Sequence, residues 1–411
     1  LKEIMDAGGR CDKRRLGSPG LGLILLVKSR ARRRFVGSAS GHDLHCDSPE
    51  LPEIVGAMTP QDRPRSRRVA RRRTLVAAAL VCTVAAALSA AWAQSPRFFR
   101  IASGSTSGSN FLLGGAIAAA ISNPPGSRPC DRGGSCGVPG LVAVAQTTQG
   151  AVENAALIAR GAADAAIVQA DVAYWAYHGT GPFAGKGAVA NLRAVATLYP
   201  EVMHVVAPAQ GDIRGIADLR LRRVSLGEQG SGTLVNARAV LKAHGMEELD
   251  VVPFYLQAGA AADLLAKDGL DAFFVNAGLP SAAVAELARS MPIRLLPVAG
   301  AQRDALRRDF PFFAAWTVPA GAYAGTAATE TISVATQLLV GAGLDDRLVY
   351  GIAAALWHPA TQKLLEAAGP LAAAIARSTA LEGLAVPLHP GAALWYFEQG
   401  MIQGDTQHFT R

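Results

Sequence analysis

The sequence predicts an α/β protein of two lobes, each a mainly parallel sheet flanked by helices. Three observations carry that prediction. Short apolar runs alternate with helical patterns from residue 98 to residue 298, as in wound parallel sheets. A strand leading through a loop of small residues into a helix occurs twice, first at residues 98–122 and again at 223–244. The length of 411 residues accommodates two such lobes with additional segments.

The formal charge of +8 suggests a polyanion binder until its location is considered. Residues 1–57 carry 10 Lys+Arg and 7 Asp+Glu, and residues 58–93 carry 7 and 1, which leaves 23 basic against 24 acidic residues afterwards. This balance removes the electrostatic argument for nucleic acid. Met58 opens a basic stretch, an apolar run at 75–88 and the small-x-small site Ala91-Trp92-Ala93. These are the parts of a secretory signal, so residues 58–93 are expected to direct export, with cleavage after Ala93 and a periplasmic mature chain. The apolar run is short for a membrane span. Residues 1–57 show no fold pattern of their own and are expected to be an extension upstream of the native start. Beyond the leader remain Cys130 and Cys136, an even pair expected to form a disulfide across the Pro/Gly-rich insert 123–139, contributing about 2 kcal/mol. With no His or further Cys near them in sequence, no metal site is expected.

The first lobe is expected over residues 94–202. The apolar run 98–102 enters Ser103-Gly104-Ser105-Thr106-Ser107-Gly108-Ser109-Asn110, and a helical pattern leaves it. Glycines allow close backbone approach, and hydroxyls at a helix start cap the helix or donate to an anion. A buried-strand pattern at 141–146, an amphipathic helix at 149–161, a strand at 165–168 and a helix from 170 follow. Gln169 sits at a strand's carboxyl end, where α/β sheets bind ligands, or caps the next helix. A further strand, 192–198, ends in Tyr199-Pro200-Glu201.

The second lobe is expected over 203–298. Strand 223–226, the loop Gly227-Glu228-Gln229-Gly230-Ser231-Gly232-Thr233 and a helix at 234–244 repeat the opening device. Two strand–helix pairs and a strand at 293–298 complete it, and residues 299–411 are expected to return to the first lobe as a mixed, helix-containing tail. Hinges are expected near 200–205 and 297–301. Two helix starts then face one cleft. Charge-assisted hydrogen bonds of about 1.5–3 kcal/mol each make up the roughly 8 kcal/mol of micromolar binding.

Catalytic patterns fail on inspection. Ser231 lacks the glycines two residues either side that a nucleophile elbow requires, so the alternative of an exported hydrolase using Ser231 is weak. Gly185-Lys186 is followed by Gly187 where a phosphate loop needs Ser or Thr. No cofactor is expected, and the reading is of a binding protein rather than an enzyme.

Taken together, S-G-S-T-S-G-S-N-F-L-L-G at 103–114, G-V-P-G-L at 137–141, Q-T-T-Q-G-A-V-E-N at 146–154 and A-D-A-A-I-V-Q-A-D at 163–171 resemble the TAXI family of solute receptors that serve TRAP transporters. L-Y-P-E at 198–201, I-A-D-L-R at 216–220, G-S-G-T at 230–233, D-A-F-F at 271–274 and P-L-H-P-G-A at 387–392 extend the resemblance over about residues 98–400. It implies a type II periplasmic binding protein-like fold, monomeric, that closes on a glutamate-like amino acid or dicarboxylate and delivers it to a TRAP-type membrane permease. An exported sensor without a transporter is the alternative. Carried over by position, the implied ligand contacts are Ser105, Thr106, Ser109, Asn110, Gln169, Tyr199, Ser231, Gly232 and Thr233. The chain departs from the family pattern at Ala151, where many members have Ser, and at Asn110-Phe111, where paired aromatics are common.

Overall fold

The computed structural model describes residues 76–78, 80 and 96–404. The expected upstream extension and the cleavage site after Ala93 lie outside the described residues, and of the expected signal segment only 76–78 and 80 are described, as exposed helix.

The first lobe is built from β1 (Arg97–Gly104), α1 (Ser109–Ile121), β2 (Ser122–Asn123), β3 (Val138–Pro139), β4 (Leu141–Thr147), α2 (Ala151–Ala159), β5 (Ala165–Gln169) and α3 (Ala170–His178). β1 pairs in parallel with β4 on one side and β5 on the other. The second lobe contains β7 (Arg223–Ser225), α4 (Gly232–Ala243), β8 (Val252–Phe254), α5 (Ala258–Ala266), β9 (Ala272–Ala277), α6 (Ala282–Ser290), β10 (Ile293–Leu295), α7 (Gly300–Asp309) and β11 (Phe313–Val318). There β7 pairs in parallel with β8 and β9. The last helices are α8 (Asp346–Leu356), α9 (Pro359–Ala367), α10 (Pro370–Ala373) and α11 (Pro390–Glu398).

Two long strands join the lobes, β6 (Leu192–Pro208) and β12 (Thr329–Gly341), giving the order β4-β1-β5-β12-β6-β9-β7-β8. Both run antiparallel to their neighbours along this order, so the whole sheet is mixed, with the parallel set β4-β1-β5 in the first lobe and β9-β7-β8 in the second. The two apolar runs expected around Tyr199-Pro200-Glu201 are one 17-residue strand. Proline has no N–H for a ladder, and Pro200 falls between partners: the Thr197 amide donates to Ala380 before it, and pairing with β9 starts at Val202 after it. On β12 the change of lobe is equally abrupt. β12 pairs with β11 through Val334 and with β5 from Thr336, and the residue between, Ala335, is the partner of Pro200.

The cores follow this division. Phe99, Ile101, Ile167, Leu198 and Leu338–Val340 pack with the terminal helices in one cluster. Alternation along β9 sends Phe274 to one face of the second sheet, with Val205, Val224 and Leu241, and Phe273 to the other, with Val206, Val284 and Leu287. Leu306, Phe313, Ile332 and Val334 belong with the second lobe. The chain from Leu306 to Val334 thus packs with the second-lobe cluster, and β12 pairs with β5 of the first lobe from Thr336 onward.

Each lobe carries the same internal tie. Arg100 on β1 donates its backbone N–H (2.8 Å) and guanidinium (3.0 and 3.3 Å) to Asp164 before β5, and Arg223 on β7 donates likewise (2.7, 3.2 and 2.8 Å) to Asp271 before β9. Both pairs are partly solvated, so they set strand register more than they stabilise. Buried Asn154 has a parallel role at the carboxyl ends of the first sheet: its Nδ2 donates to Ser103 (2.9 Å) and Ile167 (2.8 Å), and its Oδ1 accepts from Thr148 (2.6 Å).

In the insert, β2 pairs with β3 and the Cys130 and Cys136 sulfurs stand at bonding distance, 1.95 Å. A histidine distant in sequence does come near them in space. His358, at the N-cap of α9, brings Nε2 to 3.8 Å from Cys130 Sγ, and the three side chains form a cluster within 4.8 Å. Sequence separation concealed this, because 228 residues part Cys130 from His358.

Two outcomes are expected. Asn154→Ala strands two buried carbonyls and a hydroxyl, and lowers unfolding free energy by about 2–4 kcal/mol in denaturant titrations. Exported protein analysed by mass spectrometry under alkylating conditions shows Cys130 and Cys136 unlabelled, whereas two alkylated thiols would exclude the bridge.

Candidate functional site

Four helices begin around one cavity, each directly after a strand or a short loop. From the first lobe come the start of α1 with Gly104, Ser105, Gly108, Ser109 and Asn110, and the start of α2 with Gln149, Gly150 and Ala151. From the second come the start of α4 with Gly227, Glu228, Ser231, Gly232 and Thr233, and the start of α5 with Leu256, Gln257 and Ala258. Gln169 and Glu201 lie at the back, and Phe274, Val275 and Asn276 at the end of β9 complete the lining. First-turn amides have no acceptor within their own helix, so a cavity ringed by helix starts is rich in backbone donors.

The lobes touch across this space. The Gly230 carbonyl accepts from the amides of Val152 (3.0 Å) and Glu153 (3.3 Å) at the start of α2, and Ser109 Oγ accepts from the Gly278 amide (3.3 Å). Close approach explains two glycines. A Cβ on Gly150, whose φ is +121°, would meet Ser231 Cα at 3.1 Å, and one on Gly232 would lie 1.3 Å from Gln169 Oε1.

Seven of the nine expected contacts, Ser105, Ser109, Asn110, Gln169, Ser231, Gly232 and Thr233, line the cavity. Thr106 does not: it is exposed in the turn before α1. Tyr199 is also outside the lining and acts behind it. Its hydroxyl stands 2.5 Å from Asn110 Oδ1 and 3.1 Å from Glu201 Oε1. Among the seven, hydroxyl roles are already divided. Ser231 Oγ accepts from the Leu234 amide (3.1 Å) and donates to the Glu228 carbonyl (2.6 Å), which makes it the N-cap of α4. Thr233 Oγ1 accepts from the Asn276 amide (3.1 Å), tying α4 to β9.

Gln169 is the N-cap residue of α3, but its side chain does not cap. Its Nε2 donates to Glu201 Oε2 (2.5 Å), which turns its Oε1 away from the carboxylate. Glu201 also accepts from Asn110 Nδ2 (2.7 Å). Sequence reasoning quoted Glu201 within a motif and passed over it as a site residue. The signal was a lone carboxylate inside an otherwise apolar run, since a charge is buried there only when something pairs with it.

The electrostatics are those of an acidic pocket. Burial pushes the Glu201 carboxyl up to about 7, against the pull of its three donors. Burial first, and the neighbouring Glu201 charge, likewise push Asp171 at the start of α3 to about 7. Glu228 is raised to about 7 by partial burial and by the charge of Glu153. No Lys or Arg is among the lining residues.

A sequence profile of the NMT1-like family matches residues 101–400. The chain belongs to that family. Among solved structures, it is similar to the alkanesulfonate-binding protein SsuA from Xanthomonas axonopodis pv. citri bound to MOPS, at 17% identity over 75% of this chain and 96% of that one, with a TM-score of 0.41. A TctC solute-binding protein from Polaromonas is similar at 15% identity over 74% and 99%, with a TM-score of 0.40. The substrate-binding protein of an amino acid ABC transporter follows at 12% identity over 66% and 98%, with a TM-score of 0.38.

The buried carboxylate makes stability depend on pH. Glu201 titrates near the ordinary 4.5 when unfolded and near 7 when folded, so the folded chain holds a proton that the unfolded chain has released between those values. Stability from this group is present below about pH 4.5 and is lost as pH rises to about 7, by at most on the order of 3 kcal/mol. Asp171 and Glu228 act in the same direction, and buried His204, pushed down to about 4, acts oppositely below 6.5. These groups are common to wild type and Glu201→Gln. The melting temperature of the variant minus that of unliganded wild type is therefore expected to grow from pH 5 to pH 8 in calorimetric scans, and a flat difference would contradict the burial.

Proposed function

We propose that this NMT1-like protein is an extracytoplasmic solute receptor, the TAXI-type component of a TRAP transporter, that captures a small amino acid or carboxylate and hands it to a membrane permease. The observation that carries the reading is the cavity at the crossing of β6 and β12, ringed by helix starts from both lobes. Two crossing strands are a short hinge, and lobes joined there with a cavity between their helix starts can close on what it holds. The backbone amides at the starts of α1 and α4 supply donors for a carboxylate without a basic side chain.

A binding role rather than catalysis fits the groups present. The Ser231 hydroxyl is engaged at both its donor and acceptor sides, and no histidine is among the lining residues to serve as its base. Export through the leader at 58–93 fits the same role, as does a monomeric receptor that leaves its outer face to a permease.

A thermal-shift screen of the purified protein against amino acids and small carboxylates tests the reading. A receptor rises in melting temperature with its solute and contracts in small-angle scattering at saturation. Gly232→Val, whose side chain collides with Gln169, is expected to abolish solute binding in calorimetry while remaining folded by circular dichroism. Unchanged affinity in that variant would remove the site from this cavity.

A further inference from the structure

Within the cavity, donors and acceptors are not evenly spread. At its back stands Glu201, only 4% exposed, with no Lys, Arg or His within ion-pair distance among the described residues. Asn110 and Gln169 donate to two of the roughly four acceptor positions that a carboxylate offers, and the Tyr199 hydroxyl stands 3.1 Å from Glu201 Oε1 but nearer to Asn110 Oδ1, at 2.5 Å. Glu201 is itself among the residues that line the cavity. Beside it is a second acceptor. Gln169, 2% exposed, has its amide nitrogen spent on Glu201, and its Oε1 is buried without a partner against the start of α4.

Two adjacent acceptors, one of them a carboxylate without a counter-ion, ask for a ligand group that is positive and carries several N–H donors. Hydrogen bonds from neutral groups soften the cost of burying Glu201 but leave its charge uncompensated. A ligand carboxylate at this end would instead meet Glu201 directly, with Glu228 in the same lining and Asp171 close behind. A quaternary ammonium is a poor fit, because it has no N–H and Phe274 alone is too little for an aromatic cage.

We propose that Glu201 and the carbonyl oxygen of Gln169 form the seat for a primary ammonium group, so that the solute is an amine-bearing acid, an amino acid, and not a dicarboxylate. The inference rests on the reading of the cavity as the solute site. The ammonium lies between Glu201 Oε and Gln169 Oε1, and any carboxylate of the same molecule lies towards the helix starts. Gln169 then has a double function: Glu201 orients its amide, and its oxygen both receives the ligand and is covered by Gly232 of the second lobe.

The test uses solutes that differ only in the amine, L-glutamate against glutarate, L-aspartate against succinate, L-alanine against propionate and L-leucine against 4-methylpentanoate, in thermal-shift and calorimetric assays. The amine-bearing member of at least one pair is expected to bind at least tenfold more tightly than its partner, and Glu201→Gln to weaken that binding at least tenfold. Should Glu201→Gln fail to fold, wild-type protein answers through pH. The ionisable side chains in or against this part of the site are Glu201, Glu228, Asp171, Tyr199 and, beside Glu228, Glu153, all acids. Affinity for an amine-bearing solute is expected to fall by up to about tenfold per pH unit below about pH 7, as Glu201 protonates. A solute held at this end by a carboxylate gives the reverse slope. Binding of the deaminated partners as tightly as the amines, a reversed pH slope, or failure of every amine to bind overturns the proposal. If Gly232→Val abolishes binding while Glu201→Gln leaves it intact, the ammonium seat alone is wrong; if both variants bind as wild type, the cavity reading itself fails.

Discussion

The pairing of β6 with β12 is the constraint on which the rest of the structure depends. Each strand is long enough to serve both sheets, and both change lobes at the Pro200–Ala335 pair. A proline is tolerated there because one set of partners has ended and the next has not begun. The geometry follows directly. Separate apolar clusters lie on either side of that level, and the residues at the crossing lie at the back of the cavity between the helix starts. Glu201 is the residue after Pro200, and this is why a single carboxylate stands at the back of the cavity.

Much of the first lobe and the helix starts was legible in the sequence. The small-residue loops at 103–110 and 227–233 had to border a close approach, and they do, at Gly232 against Gln169 and Gly150 against Ser231. The repeated device was visible because both copies obey the same local rules: a buried parallel strand, a loop without bulk, then a helix. The repeated Arg–Asp tie at Arg100–Asp164 and Arg223–Asp271 was written there too, in the D-A-x-x starts of β5 and β9, but an ion pair between residues 64 or 48 positions apart cannot be read from spacing alone.

What the sequence concealed was β12. Its residues Thr331, Ser333, Thr336 and Gln337 look like a solvated face, yet all four are buried. Thr331 Oγ1 donates to the Met203 carbonyl (2.8 Å) and Gln337 Nε2 to the Gly383 carbonyl (2.7 Å), so at these two positions tertiary partners take the place of water. Thr106 shows the local limit: a hydroxyl in the right loop is not thereby turned inward, and the turn before α1 leaves it in solvent.

The hydrogen-bond chain behind the cavity links the crossing to the site. Tyr199, on one side of Pro200, meets Asn110 at the start of α1, and Asn110 and Tyr199 together hold Glu201 on the other side. Gln169 extends the chain from Glu201 to the surface that α4 covers. Every member except the Gly232 backbone belongs to the first lobe or to the crossing itself. The second lobe then contributes mainly backbone: the Gly230 carbonyl on α2, the Gly278 amide on Ser109 and the Gly232 backbone over Gln169. Backbone groups carry little side-chain entropy to lose on closure. The hydrogen-bonded acid Glu201 thus stands at the crossing, while the second lobe adds a glycine-rich cover and one further acid, Glu228, to the lining.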